Sequence, residues 1–522
     1  MMQKKDYLSN ILKVALTGTF IYVWCLIIFG EEYAWREYSV PNILLVAVLI
    51  IGIYIIYKVD KSRAKLHKSW KISKKRENII LIIVSAVMLG LQLVITWNAG
   101  FRTGWDPGAV WYGSHYVAME NQEGIKDMAY YFSVYPNNLL LVFFYSCILN
   151  LNELIGNPIS NGILLLSMIQ CVLITVTGVL LFKVSKRFVS SRLCWLAYGL
   201  YFILVGLSGW IMIPYSDSSG IIFPLFLIWL YLKEKESDRM EKKAIYIFLL
   251  LAVSMIGFQI KPMALIVLIA IVIIEVLEKA RHWKNKWKKQ LKEYVIYIIA
   301  ALAGAGISAL LITCAIRSMQ FPVVTETVLG WQHHMMLGLN ENSRGGYSQE
   351  DFDFSTGFDS KEEQNQAELE MVRIRLKELG VSGYSKLFTR KAEKNYLDGS
   401  FGWGGGASFY TEIYPERGNF LCPLLRSLYY DNSEENLFGL YAQFRQFIWL
   451  AVLLGVASGG IGKGGLKVKE KVLILSVLGL MLYLQIFEAH PRYLFTYVPL
   501  YIVLSVIGYR NLKSRVYNKK YI

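Results

Sequence analysis

Charge is scarce in this chain of 522 residues: Asp, Glu, Lys and Arg make up 18%, against 55% hydrophobic residues. Soluble globular domains carry about a quarter charged residues, so a soluble fold is excluded. Cysteine is thin as well. Six are present, without a CxxC or Cys/His spacing; Cys25, Cys147, Cys171, Cys194 and Cys314 fall in or at the ends of apolar runs, and Cys422 alone lies in a polar stretch. That argues against a disulfide framework and against a structural zinc site. The first apolar run, Ile11–Gly30, lacks a small-residue cleavage site and is too long for a signal-peptide core, so it is expected to stay as an anchor. No internal repeat is visible. The glycine runs at 402–406 (GWGGG) and 459–465 (GGIGKGG) lack the Lys-Ser/Thr ending of a phosphate loop and read as a turn and a linker.

What the chain does have is apolar runs of membrane length, since about 20 helical residues cross the hydrocarbon core. The pattern predicts an all-α membrane protein with about twelve transmembrane helices, near 11–30, 41–57, 78–97, 160–182, 192–210, 218–232, two within 244–278, 292–316, 438–456, 470–487 and 491–509. The formal net charge is +16. Its placement in short loops between apolar runs fits the positive-inside rule rather than nucleic-acid binding. The acidic loop EEYAWREYSV is expected outside, and the basic loops Lys58–Glu77, Lys233–Lys243 and Glu278–Glu293 inside, with both termini cytoplasmic. The stretch Tyr135–Leu151 has an apolar part of about 13 residues, short for a span, and is expected to lie at the interface. Residues 317–437 carry eighteen acidic and twelve basic side chains, a sign reversal that marks an extracytoplasmic insert. Within it, Leu369, Val372, Leu376 and Leu379 fall on one helical face over Lys361–Leu379, the pattern of a half-buried helix. The chain thus divides into 1–77 (two extra helices and a basic loop), 78–316 (a core with an outer loop at 98–135), 317–437 and 438–522.

The unusual polar residues fall on one side of this layout. Asp106 follows the third run in WNAGFRTGWDPGAVWY, where Gly104 and Pro107 are expected to bend the chain and Trp97, Trp105 and Trp111 to favour the interface. Asp217, Lys261, His333, His334, Glu488, His490 and Arg492 share that outer side. An ionisable group at membrane depth costs about 2.5–3.5 kcal/mol, so each needs a partner or a task. Asp106 could take a proton from an attacking hydroxyl. Arg492, with its fork of donors, suits a phosphate best, Lys261 could serve as a point charge, and Arg102 is a further cation. Structural alternatives stand beside these. Asp217 could cap a helix, Lys261 could snorkel, and Arg492 could pair with Glu488. His333–His334 lacks the i, i+4 spacing of a helical metal pair.

Taken in order, these residues resemble the GT-C superfamily of polytopic glycosyltransferases that use polyprenyl-phosphate sugars. The nearest branch holds protein O-mannosyltransferases, lipid A aminoarabinose transferases and uncharacterised Gram-positive relatives. GWDPG matches the family's essential acid in the first outer loop, on Asp106. YPNN (Tyr135, Pro136, Asn137, Asn138), PYSD (Pro214–Asp217) and IKP (Ile260–Pro262) resemble its outer helix and turns. MMLGLN, RGGY, LDGSFGWGG and HPRYLF look like signatures of the Gram-positive subgroup. The resemblance implies a GT-C-like bundle with interfacial helices in the first outer loop and a plasma-membrane location. Asp106 would be the catalytic base, with Arg492, Lys261, Arg102, Asp217, His490, Glu488, Tyr135, Asn137 and Asn138 around phosphate and substrate. The partners implied are the bilayer, the donor and a glycan, lipid or protein acceptor. The pattern often has two adjacent acids where this chain has Asp106–Pro107, which points to a metal-independent reaction with no cofactor beyond the donor. A flippase of lipid-linked glycans and a non-catalytic envelope-assembly partner are the other classes considered; the first should show inverted repeats.

Overall fold

The computed structural model describes residues 6–30, 38–64, 73–281, 287–404, 410–431 and 437–516. Most of the acidic loop at 31–40, residues 65–72 of the basic loop at 58–77, residues 282–286 of the basic loop at 278–293, the end of the GWGGG turn, residues 432–436 and the tail beyond 516 lie outside them. In chain order the elements are α1 (Tyr7–Phe29), α2 (Asn42–Ala64), α3 (Lys74–Ala99), β1 (Phe101–Thr103), α4 (Trp105–Ala118), α5 (Gln122–Asp127), α6 (Ala129–Val134), α7 (Leu139–Leu154), α8 (Gly162–Ser185), α9 (Ser191–Tyr201), α10 (Ser216–Ser219), α11 (Ile222–Glu236) and α12 (Met240–Ile260). There follow α13 (Leu265–Arg281), α14 (Trp287–Ser318), α15 (Trp331–Gly338), α16 (Gln349–Thr356), α17 (Lys361–Tyr396), β2 (Tyr410–Ile413), α18 (Leu421–Tyr429), α19 (Phe438–Ala457), α20 (Val468–Ile486) and α21 (Val498–Val516).

Among the described residues seven helical stretches are long and apolar enough to cross a membrane: Tyr7–Phe29, Lys74–Ala99, Gly162–Ser185, Met240–Ile260, Glu293–Ser318, Phe438–Ile461 and Pro491–Arg515. The other five stretches expected as spans correspond to α2, α9, α11, α13 and α20, which are helical but, over the described residues, fall outside the same limits of length, hydropathy and charge.

Ion pairs gather one end of the bundle. Glu77 at the start of α3 pairs with Lys186 just past α8, and Arg187 pairs with Glu236 at the end of α11. Lys471 near the start of α20 bonds both Asp6, which caps α1, and Glu278 of α13, at 2.9 and 2.5 Å. The start of α3 therefore meets the end of α8, and the two helices run antiparallel.

Close helix approach is set by small residues. On α21, a Cβ at Gly508 would lie 1.8 Å from the carbonyl oxygen of Gly455 on α19. Backbone cannot yield as a flexible side chain can, so Gly508→Ala is expected to cost about 1–3 kcal/mol. Thermal unfolding in detergent checks it; an unchanged midpoint would show that α19 and α21 are free to separate.

The 317–437 stretch does not stand apart from the bundle. Tyr396 of α17 joins Phe20 of α1 and Tyr501 of α21 in one aromatic cluster, its hydroxyl 2.6 Å from that of Tyr501. Just beyond it, the carboxylate of Asp398 accepts the backbone N–H groups of Ser400 (2.7 Å) and Gly402 (2.9 Å). LDGSFG is thus an acid-centred turn, with Phe401 and Gly402 at positive φ. The Lys361–Leu379 helix forms and is half-buried: Val372 and Leu379 of the expected row pack with Met336 and Leu339, and Leu369 is partly buried. Leu376 departs from the expected row at 42% exposed, while the polar Gln364 and Glu368 are buried and Arg375 pairs with Asp351 of α16 at 2.5 Å. The helix also runs on past Leu379, with a kink at Gly380.

Candidate active site

Asp106 reaches its position through backbone geometry. After α3, β1 pairs antiparallel with β2, Phe101 opposite Ile413, and the chain reverses into α4. The reversal is made at Trp105 (φ 53), not at Gly104, which is extended; a non-glycine residue there stores about 1–3 kcal/mol. Asp106 then lies in the first turn of α4, where the helix dipole favours a carboxylate. Trp97 and Trp105 are largely exposed, and the guanidinium of Arg417 sits 4.2 Å over the Trp97 ring.

Two tyrosines hold the acid. The Tyr131 hydroxyl donates to Oδ1 at 3.1 Å and accepts from Asn138 Nδ2 at 2.9 Å, while the Tyr215 hydroxyl donates to Oδ2 at 3.4 Å. Burial and then the Asp106 charge push both phenols above their ordinary range, so they stay protonated as donors. A guanidinium nitrogen of Arg492 lies 3.7 Å from Oδ2 of Asp106, whose side chain is 34% exposed and open to an incoming group.

Arg492 bridges to a second acid. Its Nε is 3.5 Å from Oδ2 of Asp217, and Lys261 pairs with the other carboxylate oxygen. Asp217 is fully buried in the short α10, and α11 begins only at Ile222, so it does not cap that helix. Lys261 is buried too, at the break between α12 and α13 that Pro262 enforces, with its ammonium 4.4 Å over the Tyr493 ring. It does not snorkel. Burial lowers its pKa and Asp217 opposes that shift.

Glu488 does not take Arg492: it accepts from the Tyr493 hydroxyl at 2.8 Å and lies 3.9 Å from His334 Nδ1. The Nδ1 of His490 accepts the backbone N–H of Arg492 at 3.2 Å, and burial beside that cation keeps the imidazole neutral. Tyr135 packs on Tyr131 at 5.3 Å, and Asn137 donates to Asn138 at 3.5 Å. Arg102 is directed elsewhere. It stands on β1 3.8 Å from Glu412, over the Tyr112 ring, and lines a cavity with Trp111 and His115.

Several contributors carry weak sequence signals or none. Tyr215 and Tyr493 sit inside PYSD and HPRYLF, but nothing in the sequence singles out Tyr131. Lys391 and Lys394 carry no sequence signal of their own, and both are buried. Lys391 Nζ donates to the carbonyls of Gly338, Gln485 and Phe487, each at 2.8 Å, and Lys394 to that of Ser343 at 3.0 Å. They staple α17 to the RGGY loop and to the Glu488 corner, where Ala489 N–H donates to Gly345 O at 2.7 Å.

His333 faces inward, 2.7 Å from Ser355 Oγ, and burial, then His334, bring its pKa from 6.5 to about 3. The folded state therefore binds fewer protons than the unfolded one between those values, and stability falls as pH drops through 6.5. Between pH 7 and pH 5 this single group is expected to remove about 2 kcal/mol. Melting at both pH values checks it: His333→Phe should lose less on acidification than the parent, and an equal loss would discard the assignment.

Over residues 8–513 the sequence matches the family described as "Conserved hypothetical integral membrane protein". The chain belongs to that family. With the seven apolar helices, this makes it an integral membrane protein. No curated protein matches the sequence. Among solved structures it is similar to the archaeal oligosaccharyltransferase AglB from Archaeoglobus fulgidus, determined in complex with an inhibitory peptide and a dolichol-phosphate. Identity is 13%, with 87% of this chain and 53% of that chain covered, and the TM-score of 0.37 is too low to establish a shared fold. The chain spans about half the length of that protein.

Proposed function

We propose that this family member is a GT-C-type glycosyltransferase that moves a sugar from a polyprenyl-phosphate donor to an acceptor on the outer face of the plasma membrane. The acceptor is a glycan, lipid or protein of the cell envelope. The observation that carries the proposal is the Asp106–Arg492–Asp217–Lys261 constellation: an open carboxylate 3.7 Å from a guanidinium that is itself held by a buried acid–lysine pair. Asp106 takes the proton from the acceptor hydroxyl as its oxygen bonds the anomeric carbon. The bond from that carbon to the phosphate oxygen breaks, and polyprenyl phosphate leaves. A phosphate monoester has a second pKa of about 6, so the leaving group departs as a dianion without needing an acid. Its growing charge falls on Arg492 and Lys261, two largely buried cations already held in place by Asp217. Asp217 is a positioning residue that fixes both cations. No metal is invoked, since these two cations supply the positive charge.

The test gives the purified full chain a polyprenyl-phosphate hexose and measures sugar release or transfer. Arg492→Lys keeps the charge but loses the fork, and is expected to slow turnover about 100-fold. Turnover within about tenfold of the parent would remove Arg492 from the phosphate. Passage of intact lipid-linked sugar across proteoliposomes, with no bond cleaved, would replace transfer by transport.

A further inference from the structure

Behind α4, a cavity of about 450 Å³ opens between that helix, the end of α7, the start of α8 and Tyr414. Its size is that of a small-molecule site. Trp111 and His115 line it, about 140° and 180° round α4 from Asp106, so it opens on the opposite face of the helix from the candidate base. The two rings stack at 5.3 Å with 26° between their planes. The indole has its seat because residue 162 is glycine; a Cβ there would lie 2.4 Å from it.

Amides fixed by their neighbours supply the polar part of the lining. Asn161 Oδ1 accepts from Leu164 N–H at 3.0 Å and from the Tyr414 hydroxyl at 3.3 Å. Both lone pairs are then used, and the NH2 is what this side chain offers a ligand. Asn152 is fixed the other way round: its Nδ2 donates to Asn157 Oδ1 at 2.6 Å and to the Ile159 carbonyl at 3.0 Å, leaving its oxygen as acceptor. Arg102 and Glu153 both line the cavity and Arg102 also faces Glu412, so positive charge is not in excess. A phosphate or carboxylate finds no net attraction here. Flat aromatic rings beside oriented amide donors and acceptors match the C–H face and hydroxyl edge of a pyranose.

We propose that this cavity binds a short neutral oligosaccharide. Its role, holding the acceptor glycan away from the reacting hydroxyl, rests on the glycosyl-transfer proposal; the binding itself does not. The test uses the full chain in lipid nanodiscs, with the β-1,4-linked tetrasaccharide of N-acetylglucosamine and the α-1,4-linked tetrasaccharide of glucose as probes, followed by saturation-transfer NMR and calorimetry. The parent should bind at least one of them. Ala118→Trp, which fills the cavity, and His115→Ala, which removes the stack, should each weaken binding about tenfold or more, or about 1.4 kcal/mol. Asp106→Asn should bind as the parent does. Failure of the folded parent to bind either probe would overturn the proposal, as would undiminished binding by Ala118→Trp. A Ser/Thr-rich peptide that binds in place of the sugars and is blocked by Ala118→Trp would also overturn it, in favour of a peptide site. Saccharide binding without sugar transfer would sink the glycosyltransferase proposal and leave this one standing; transfer without saccharide binding would do the reverse.

Discussion

Asp106→Asn is expected to lower sugar transfer by about 10²–10⁴-fold while leaving donor binding intact, the range that one general base contributes. Asparagine has nearly the same shape, and its oxygen can still accept from Tyr131 or Tyr215, so the loop should keep its position. What it loses is the capacity to take a proton. The prediction therefore separates chemistry from architecture: kcat falls, while donor affinity and melting temperature hold. Unchanged turnover would dismiss Asp106 as the base. A fall in donor affinity alone would mean that it binds substrate instead.

The second large effect is on stability. Asp217→Ala is expected to cost about 3–5 kcal/mol, because it leaves the ammonium of Lys261 and the guanidinium of Arg492 buried without the acid that faces both. The charge that remains is repulsive as well as desolvated. Removing Lys261 at the same time should restore part of the loss, so Asp217→Leu with Lys261→Met is expected to melt above Asp217→Ala. Turnover should fall in both variants, since the phosphate-facing cations are displaced or gone. Thermal melts in detergent, run beside the transfer assay, decide it. A double variant no more stable than the single one would show that the pair is not coupled.

The long apolar runs determined the helices without help from tertiary context. Pro262 determined where the 244–278 stretch breaks, since a proline cannot continue the ladder, and α12 indeed ends at Ile260. That Asp106, Asp217, Lys261, Glu488 and Arg492 all fall in the breaks between apolar helices was also legible, because each lies beside the end of a long apolar run. Which of them touch was not. Arg492 could have chosen Glu488, four residues away, and takes Asp106 and Asp217 from other loops instead. Arg102, four residues from Asp106, faces Glu412. The leucine row of α17 was legible in part: Val372 and Leu379 pack against Met336 and Leu339, whereas Leu376 is exposed and the burial of Gln364 and Glu368 depends on what packs against them. Lys391 and Lys394 are buried because carbonyls at the ends of two other helices and in a loop accept hydrogen bonds from their ammonium groups. Periodicity and chain breaks are local quantities, and the order of residues carries them. Pairing of buried charge depends on which surfaces meet when the bundle closes, and only the tertiary structure decides that.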